Sequence, residues 1–280
     1  MTGGRGHSAF KLILRGVFLV CMAVSACMGG FYLYQYAQNA SEQKSLVSEY
    51  VSDGGAPDLS VFEAPDGVSL PDAPHELPAV MDALEGLELL KVDHDGLYAK
   101  NPDYVGWVDI PGLGISYPVF KSLDNQKYLH HNSEGKYSYA GSIFLDMDCS
   151  ADSKNLVLHG HNMKNGSMFH PLNRYLGGDA QKYPLAVFYG RDGKAGIFTV
   201  YAAFQENGGR MEDVEVGSFP TKDAYDIYTS ECLAKSTIEG FGAPKPMDRL
   251  LTLCTCRGRS EDDLRCVVCF RLVLELAPEA

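Results

Sequence analysis

From Gly16 to Tyr36 the chain reads GVFLVCMAVSACMGGFYLYQY, 21 positions without a charged side chain. As a helix rising ~1.5 Å per residue it is roughly 31 Å long, about the hydrocarbon thickness of a bilayer. The pattern predicts one transmembrane helix over 16–36 behind a short basic head, residues 1–15. Lys11 and Arg15 precede the run, which puts the N-terminus on the cytoplasmic side. Tyr32, Tyr34 and Tyr36 cluster near the outer end, where amphipathic rings suit the interface. A cleaved signal peptide competes with this reading, but the run is long for a signal core and the residues around Ala26 and Gly30 make a poor cleavage site.

The pattern then changes twice. Residues 37–50 are polar and helix-compatible, and 52–78 contain Pro57, Pro65, Pro71, Pro74 and Pro78. Proline removes the backbone donor a helix needs, so 37–78 reads as an extracellular stalk or linker. Residues 79–91 place Val80, Leu84, Leu87 and Leu90 at helical spacing, the start of a folded domain over 79–280. From Gly106 the pattern is short β-like runs punctuated by Gly, Pro and Asn: GWVDIPG, ISYPVF, GSIFLD, NLVLHGH, AVFYG, GIFTVYAAFQ, RLLTLCTC and CVVCFRLVLEL. Helical interludes are expected at 163–176 and 221–238. Many short strands with few helices predict a mainly β fold, a closed barrel or a sandwich.

Composition narrows the class. The chain has 280 residues, 45% hydrophobic and 21% charged, with a formal net charge of −12. It is globular and shows no basic patch for nucleic acid. Arg5, Lys11 and Arg15 are the charges of residues 1–40, so all 36 acidic residues lie beyond the apolar run. A basic head on an acidic body agrees with a body outside the membrane.

Four of the eight cysteines crowd into TLCTCRGRSEDDLRCVVC, residues 252–269. A structural zinc site favours paired knuckles on tight turns. Here the C-x2-C pair, Cys266 and Cys269, sits in a strand-like run, and alternation sends the two to opposite faces. Disulfides are permitted outside the membrane, and Cys149 and Cys232 could pair with each other or with Cys266 or Cys269; spacing does not choose. A nucleophile needs exposure, a base and something to hold an oxyanion. Cys256 ends an apolar run just where RGRSEDD begins. His159 and His161 end another, NLVLHGH, and Arg265 opens the strand after Cys256. Three strands with reactive residues at their ends make a shared rim plausible.

TLCTC resembles the TLxTC signature of sortases, and LHGHNM resembles the strand end that carries their histidine. NPDYVGWVDIPGLGISYPVF, DNQKYL, GSIFLD, HGHNMKNGSMFHPLNRY and TLCTC with its downstream LR follow class B sortases in order and spacing, over residues 80–276. The resemblance implies an eight-stranded closed β-barrel with N-terminal and inserted helices, the insertion at 221–238 being a class B trait. It implies a membrane-anchored transpeptidase on a Gram-positive-type surface. Such an enzyme cleaves a C-terminal sorting signal after threonine, LPxTG-like or NPxTN-like, through a thioester. The acyl group then passes to an amine of a peptidoglycan precursor or a pilin lysine.

By the same resemblance Cys256 is the nucleophile, His161 the acid and base, and Arg265 the oxyanion group. Asn125, Cys254, Tyr225 and Tyr228 are expected along a substrate groove. His159, where the family often has an aromatic, is accessory. Cys254 departs from the Ser common at that position. No metal, cofactor or nucleic acid is expected; the partners are secreted proteins bearing the signal and the amine acceptor. A hydrolytic cysteine protease, or a surface adhesin with structural cysteines, are the rival functions.

Overall fold

A computed structural model describes residues 4–57, 77–256 and 264–277; the side chains of residues 4–10, 12, 77–79 and 256 lie outside the description. Two compact units divide the chain, Met1–Glu42 and Gln43–Ala280. The first is one helix. α1 runs Gly4–Tyr50 and contains the expected 16–36 span, and by length and composition it can cross a membrane. Its apolar side chains from Ile13 to Tyr34 are largely exposed. That exposure suits a lipid surround better than water.

The second unit begins earlier than the sequence implied. Leu46, on the last turns of α1, is buried in the same core cluster as Leu84, Leu87, Leu97 and Trp107. Gln43 donates to the Ser116 carbonyl at 2.9 Å. β1 (Val51–Gly55) then pairs antiparallel with β2 (Leu89–Val92). Residues 43–55 are therefore part of the folded unit, and the expected stalk of 37–78 is cut back. Its proline-rich positions 58–76 lie outside the described residues. The expected helix over 79–91 is likewise split. α2 covers Leu77–Glu85, Gly86 follows it, and Leu89 and Leu90 belong to β2. The reason is a distant partner: β1 offers backbone donors and acceptors that local apolar spacing cannot reveal.

After α3 (His94–Lys100) come eight strands: β3 Tyr104–Ile110, β4 Ile115–Phe120, β5 Ile143–Leu145, β6 Asn155–His161, β7 Leu185–Gly190, β8 Ala195–Asn207, β9 Leu250–Cys256 and β10 Leu264–Leu276. Each coincides with one of the eight apolar runs. They close into a barrel in the order β10-β8-β7-β3-β4-β5-β6-β9. Closure removes both edges of the sheet. The interlude at 163–176 begins in turns and ends in a 3-10 turn at His170–Leu172 that runs into the short α4 (Asn173–Leu176), whereas 221–238 holds α5, Lys222–Lys235. Thr221 caps α5 by accepting from the Ala224 N–H.

Most neighbours in the barrel are antiparallel, but β4–β5 and β6–β9 are parallel. Parallel pairing brings the C-terminal ends of β6 and β9 to the same rim. β10 runs antiparallel to β9, so its first residues lie at that rim too.

Candidate active site

The site is built by register. In the β6–β9 pair His161 stands opposite Cys256, and His159 opposite Cys254. In the β9–β10 pair Val267 stands opposite Cys254. Continuing that register two residues brings Arg265 alongside Cys256. The strands stay joined there, for the Cys266 N–H donates to Thr255 Oγ1 at 2.8 Å. Cys256 thus lies between His161 on one neighbouring strand and Arg265 on the other.

His161 is half-buried, and its Nε2 is 2.8 Å from the Leu129 carbonyl. A carbonyl only accepts, so Nε2 carries hydrogen and Nδ1 is left to exchange a proton. Burial pushes the His161 pKa below its ordinary 6.5; the Leu129 carbonyl resists this and His130, ring centroid 6.0 Å away, adds to it. At neutral pH the free protein holds a mostly neutral imidazole at this position.

Gly160 separates the two histidines for a steric reason. A Cβ there would stand 2.4 Å from Ile143 Cδ1 and 2.7 Å from Phe169 Cγ. Gly160→Ala is expected to cost about 1–3 kcal/mol by overpacking. The same variant should slow any reaction that needs His161 in place. Chemical denaturation of the detergent-solubilised chain checks the first expectation; an unchanged midpoint would show that Ile143 and Phe169 give way freely.

Arg265 is half-buried. Its Nη1 is 3.7 Å from Glu215 Oε1, while its Nε is buried and has no hydrogen-bond partner among the described residues. A buried unpaired donor costs free energy, so this one is available to an incoming acceptor.

The other sequence candidates fare differently. Asn125 is half-buried and fastened on both sides, its amide donating to Asp146 Oδ2 at 2.7 Å and its oxygen accepting from the Met147 N–H at 2.8 Å. Cys254 is fully buried, so it is no groove residue. Tyr225 and Tyr228 are corrected in the same way. Both lie on the buried face of α5: Tyr225 donates to the Lys245 carbonyl, and Tyr228 contacts Val214, Asn155 and Thr252. Their hydroxyls are used in fixing α5 to the barrel. Helical register turned them inward, a rotation that motif position did not encode.

The other described cysteines of the second unit also become packing residues. Cys149, Cys232, Cys254, Cys266 and Cys269 are buried and are not joined in disulfides among the described residues. Burial pushes the Cys266 thiol up to about 12 and the Cys149 thiol up to about 11. Thiols held protonated in this way are poor nucleophiles and poor ligands.

His159, expected as accessory, sits in a polar cluster beside the site. It is buried, stacks on Phe144 at 5.1 Å, and sets Nε2 2.9 Å from Asp146 Oδ2. Its Nδ1 is 3.9 Å from Glu215 Oε1. Ligand atoms of Asp146, His159 and Glu215 lie within 4.8 Å of one another. The imidazole turns one nitrogen toward each carboxylate, Nε2 to Asp146 and Nδ1 to Glu215, and the Arg265 cation faces Glu215. Glu215 carried no sequence signal, being one acid among several in the loop before α5.

Comparison with known proteins agrees with this geometry. Residues 108–273 match the model of the sortase domain. Sortase B of Listeria monocytogenes is 34% identical over 165 residues, 57% of this chain and 65% of that protein's own length. The chain thus spans just under two thirds of that relative. The crystal structure of Clostridium perfringens sortase B is matched with a TM-score of 0.61 and 32% identity, over 65% of this chain and 100% of that one. A Staphylococcus aureus sortase B–substrate complex gives 0.60 and 27%, over 64% and 84%. With the sortase domain matched over more than half its length, and these likenesses all to sortase B, the chain belongs to the sortase family and to its class B.

Proposed function

We propose that this protein is a cysteine transpeptidase, with Cys256 as nucleophile, His161 as acid and base and Arg265 as oxyanion group. The observation that carries the reading is the register that sets His161 and Arg265 on the strands flanking Cys256. His161 takes the proton of Cys256, and the resulting thiolate attacks the carbonyl carbon of a threonine in the sorting signal. The Arg265 donors meet the oxygen as it gains charge. The tetrahedral adduct collapses, the carbon–nitrogen bond breaks, and the leaving nitrogen takes a proton from His161, giving a thioester and a free amine. An acceptor amine attacks the thioester and His161 takes its proton; the carbon–sulfur bond breaks, and that proton passes to the departing Cys256 sulfur, restoring the thiol.

The partner of His161 supports this over a hydrolytic cysteine protease. A protease of that kind orients its histidine with an Asn or Asp side chain. Here the orienting group is the Leu129 carbonyl. The substrates on this reading are secreted proteins with an LPxTG-like or NPxTN-like signal. Their acceptor is the amine of a peptidoglycan precursor or a pilin lysine. α1 serves as a single-pass anchor, its basic head in the cytoplasm and the catalytic unit outside, on a Gram-positive-type surface. Asn125 borders the substrate path by holding the loop after β4.

The test is a library of signal peptides incubated with the detergent-solubilised chain, with and without added amines, and read by mass spectrometry. Cleavage after threonine is expected, with the amine joined to the new C-terminus. Cleavage giving only the carboxylic acid at every amine concentration would favour a hydrolase.

A further inference from the structure

Directly below the His161–Cys256 row on the sheet lies a second row. His159 and Cys254 precede the first pair by two residues on each strand, so they share its face and are opposite one another. Nothing in the reaction as written uses this row, yet it holds a buried polar chain. Asp146 Oδ2 accepts from Asn125 at 2.7 Å and faces His159 Nε2 at 2.9 Å, while its Oδ1 accepts from the Asp148 N–H at 2.9 Å. Burial alone would raise the Asp146 carboxyl, but the His159, Asp148 and Asn125 bonds outweigh it and hold the pKa below the ordinary carboxylate value. From His159 the chain continues to Glu215 Oε1 at 3.9 Å, and from the same oxygen to Arg265 Nη1 at 3.7 Å.

Arginine is a long, flexible side chain with donors in a fixed plane. Its value to a developing oxyanion depends on where that plane is held. Glu215 is the acid facing it among the described residues, and Glu215 comes from a loop rather than a strand. We propose that Glu215 is a positioning residue: backed by the buried His159–Asp146 pair, it orients the Arg265 guanidinium beside Cys256 and leaves Nε free for the reacting carbonyl. The chain also ties Asn125 to Arg265 through side chains alone. This rests on the role given to Arg265 above.

The experiment is a double-mutant cycle in the detergent-solubilised full chain, with kcat and KM measured for a cleaved signal peptide and an amine. Glu215→Ala is expected to lower kcat roughly tenfold or more, with KM changed less than about threefold. Arg265→Ala should lower kcat further, and the double variant should be no slower than Arg265→Ala. Glu215→Gln, whose amide oxygen still accepts from a guanidinium, should recover part of the loss. If Glu215→Ala melts early, the cycle is run with Glu215→Gln and the same non-additivity is required. Losses that simply multiply, or wild-type kcat in both Glu215 variants, overturn the inference. If instead Arg265→Ala itself keeps wild-type kcat, it is the oxyanion role of Arg265 that fails.

Discussion

Cys256→Ala is expected to abolish thioester formation, with kcat falling by ~10⁶, the scale of removing an enzyme's nucleophile. Cys254→Ala is expected to retain most of the activity. The two thiols are two residues apart on β9 and share a strand face, so composition and spacing treat them alike. Position separates them. Cys254 is fully buried and opposite His159, whereas Cys256 is the last residue of β9, at the rim and opposite His161. The assay is mass spectrometry of the protein after incubation with signal peptide, looking for the acyl adduct. An adduct on Cys256→Ala, or none on Cys254→Ala, would sink the assignment.

His161→Ala is expected to lower kcat by roughly 10²–10⁴, the usual contribution of a positioned acid and base. The pH profile gives this prediction its second arm. Burial depresses the His161 pKa below 6.5. Below that depressed value the imidazole already carries its proton and cannot take another. The acid limb of kcat/KM should therefore fall below pH 6.5 rather than at it, and it should flatten in His161→Ala. Stability carries the same sign. Between the folded pKa and the unfolded 6.5, the unfolded chain binds more protons, so stability decreases as pH falls through that window. His94, also depressed by burial, acts in the same direction. A variant within threefold of wild type would remove His161 from the chemistry.

Much of the fold was legible because barrel strands are short, apolar and punctuated. ISYPVF is β4 and NLVLHGH is β6 to the residue. The failures share one cause, a partner far away in sequence. Leu89 and Leu90 fit a helical pattern until β1 claims them for a strand. The terminal turns of α1 read as polar linker until Leu46 is seen in the core. The site followed the same division. Cys256, His161 and Arg265 could be chosen because reactive residues at strand ends are unusual. Tyr225 and Tyr228 were misplaced because the facing of α5 depends on what Asn155, Thr252 and Val214 offer it. Glu215 was invisible, since an acid in an acidic chain carries no pattern.

By itself the sequence determined the apolar span, the number and approximate places of the barrel strands, and, through its resemblance to sortases, the candidates for acyl-transfer chemistry. These are local properties, written in period, charge and residue type. Only the tertiary structure decided that β6 and β9 pair in parallel, with His161 opposite Cys256. It alone decided that β10 returns antiparallel to bring Arg265 to the same rim, and that a buried Asp146–His159 pair and a half-buried Glu215 stand behind that arginine. Pairing direction and register between distant strands follow from closing the barrel and burying both sets of side chains at once, a condition on the whole chain that no short window contains.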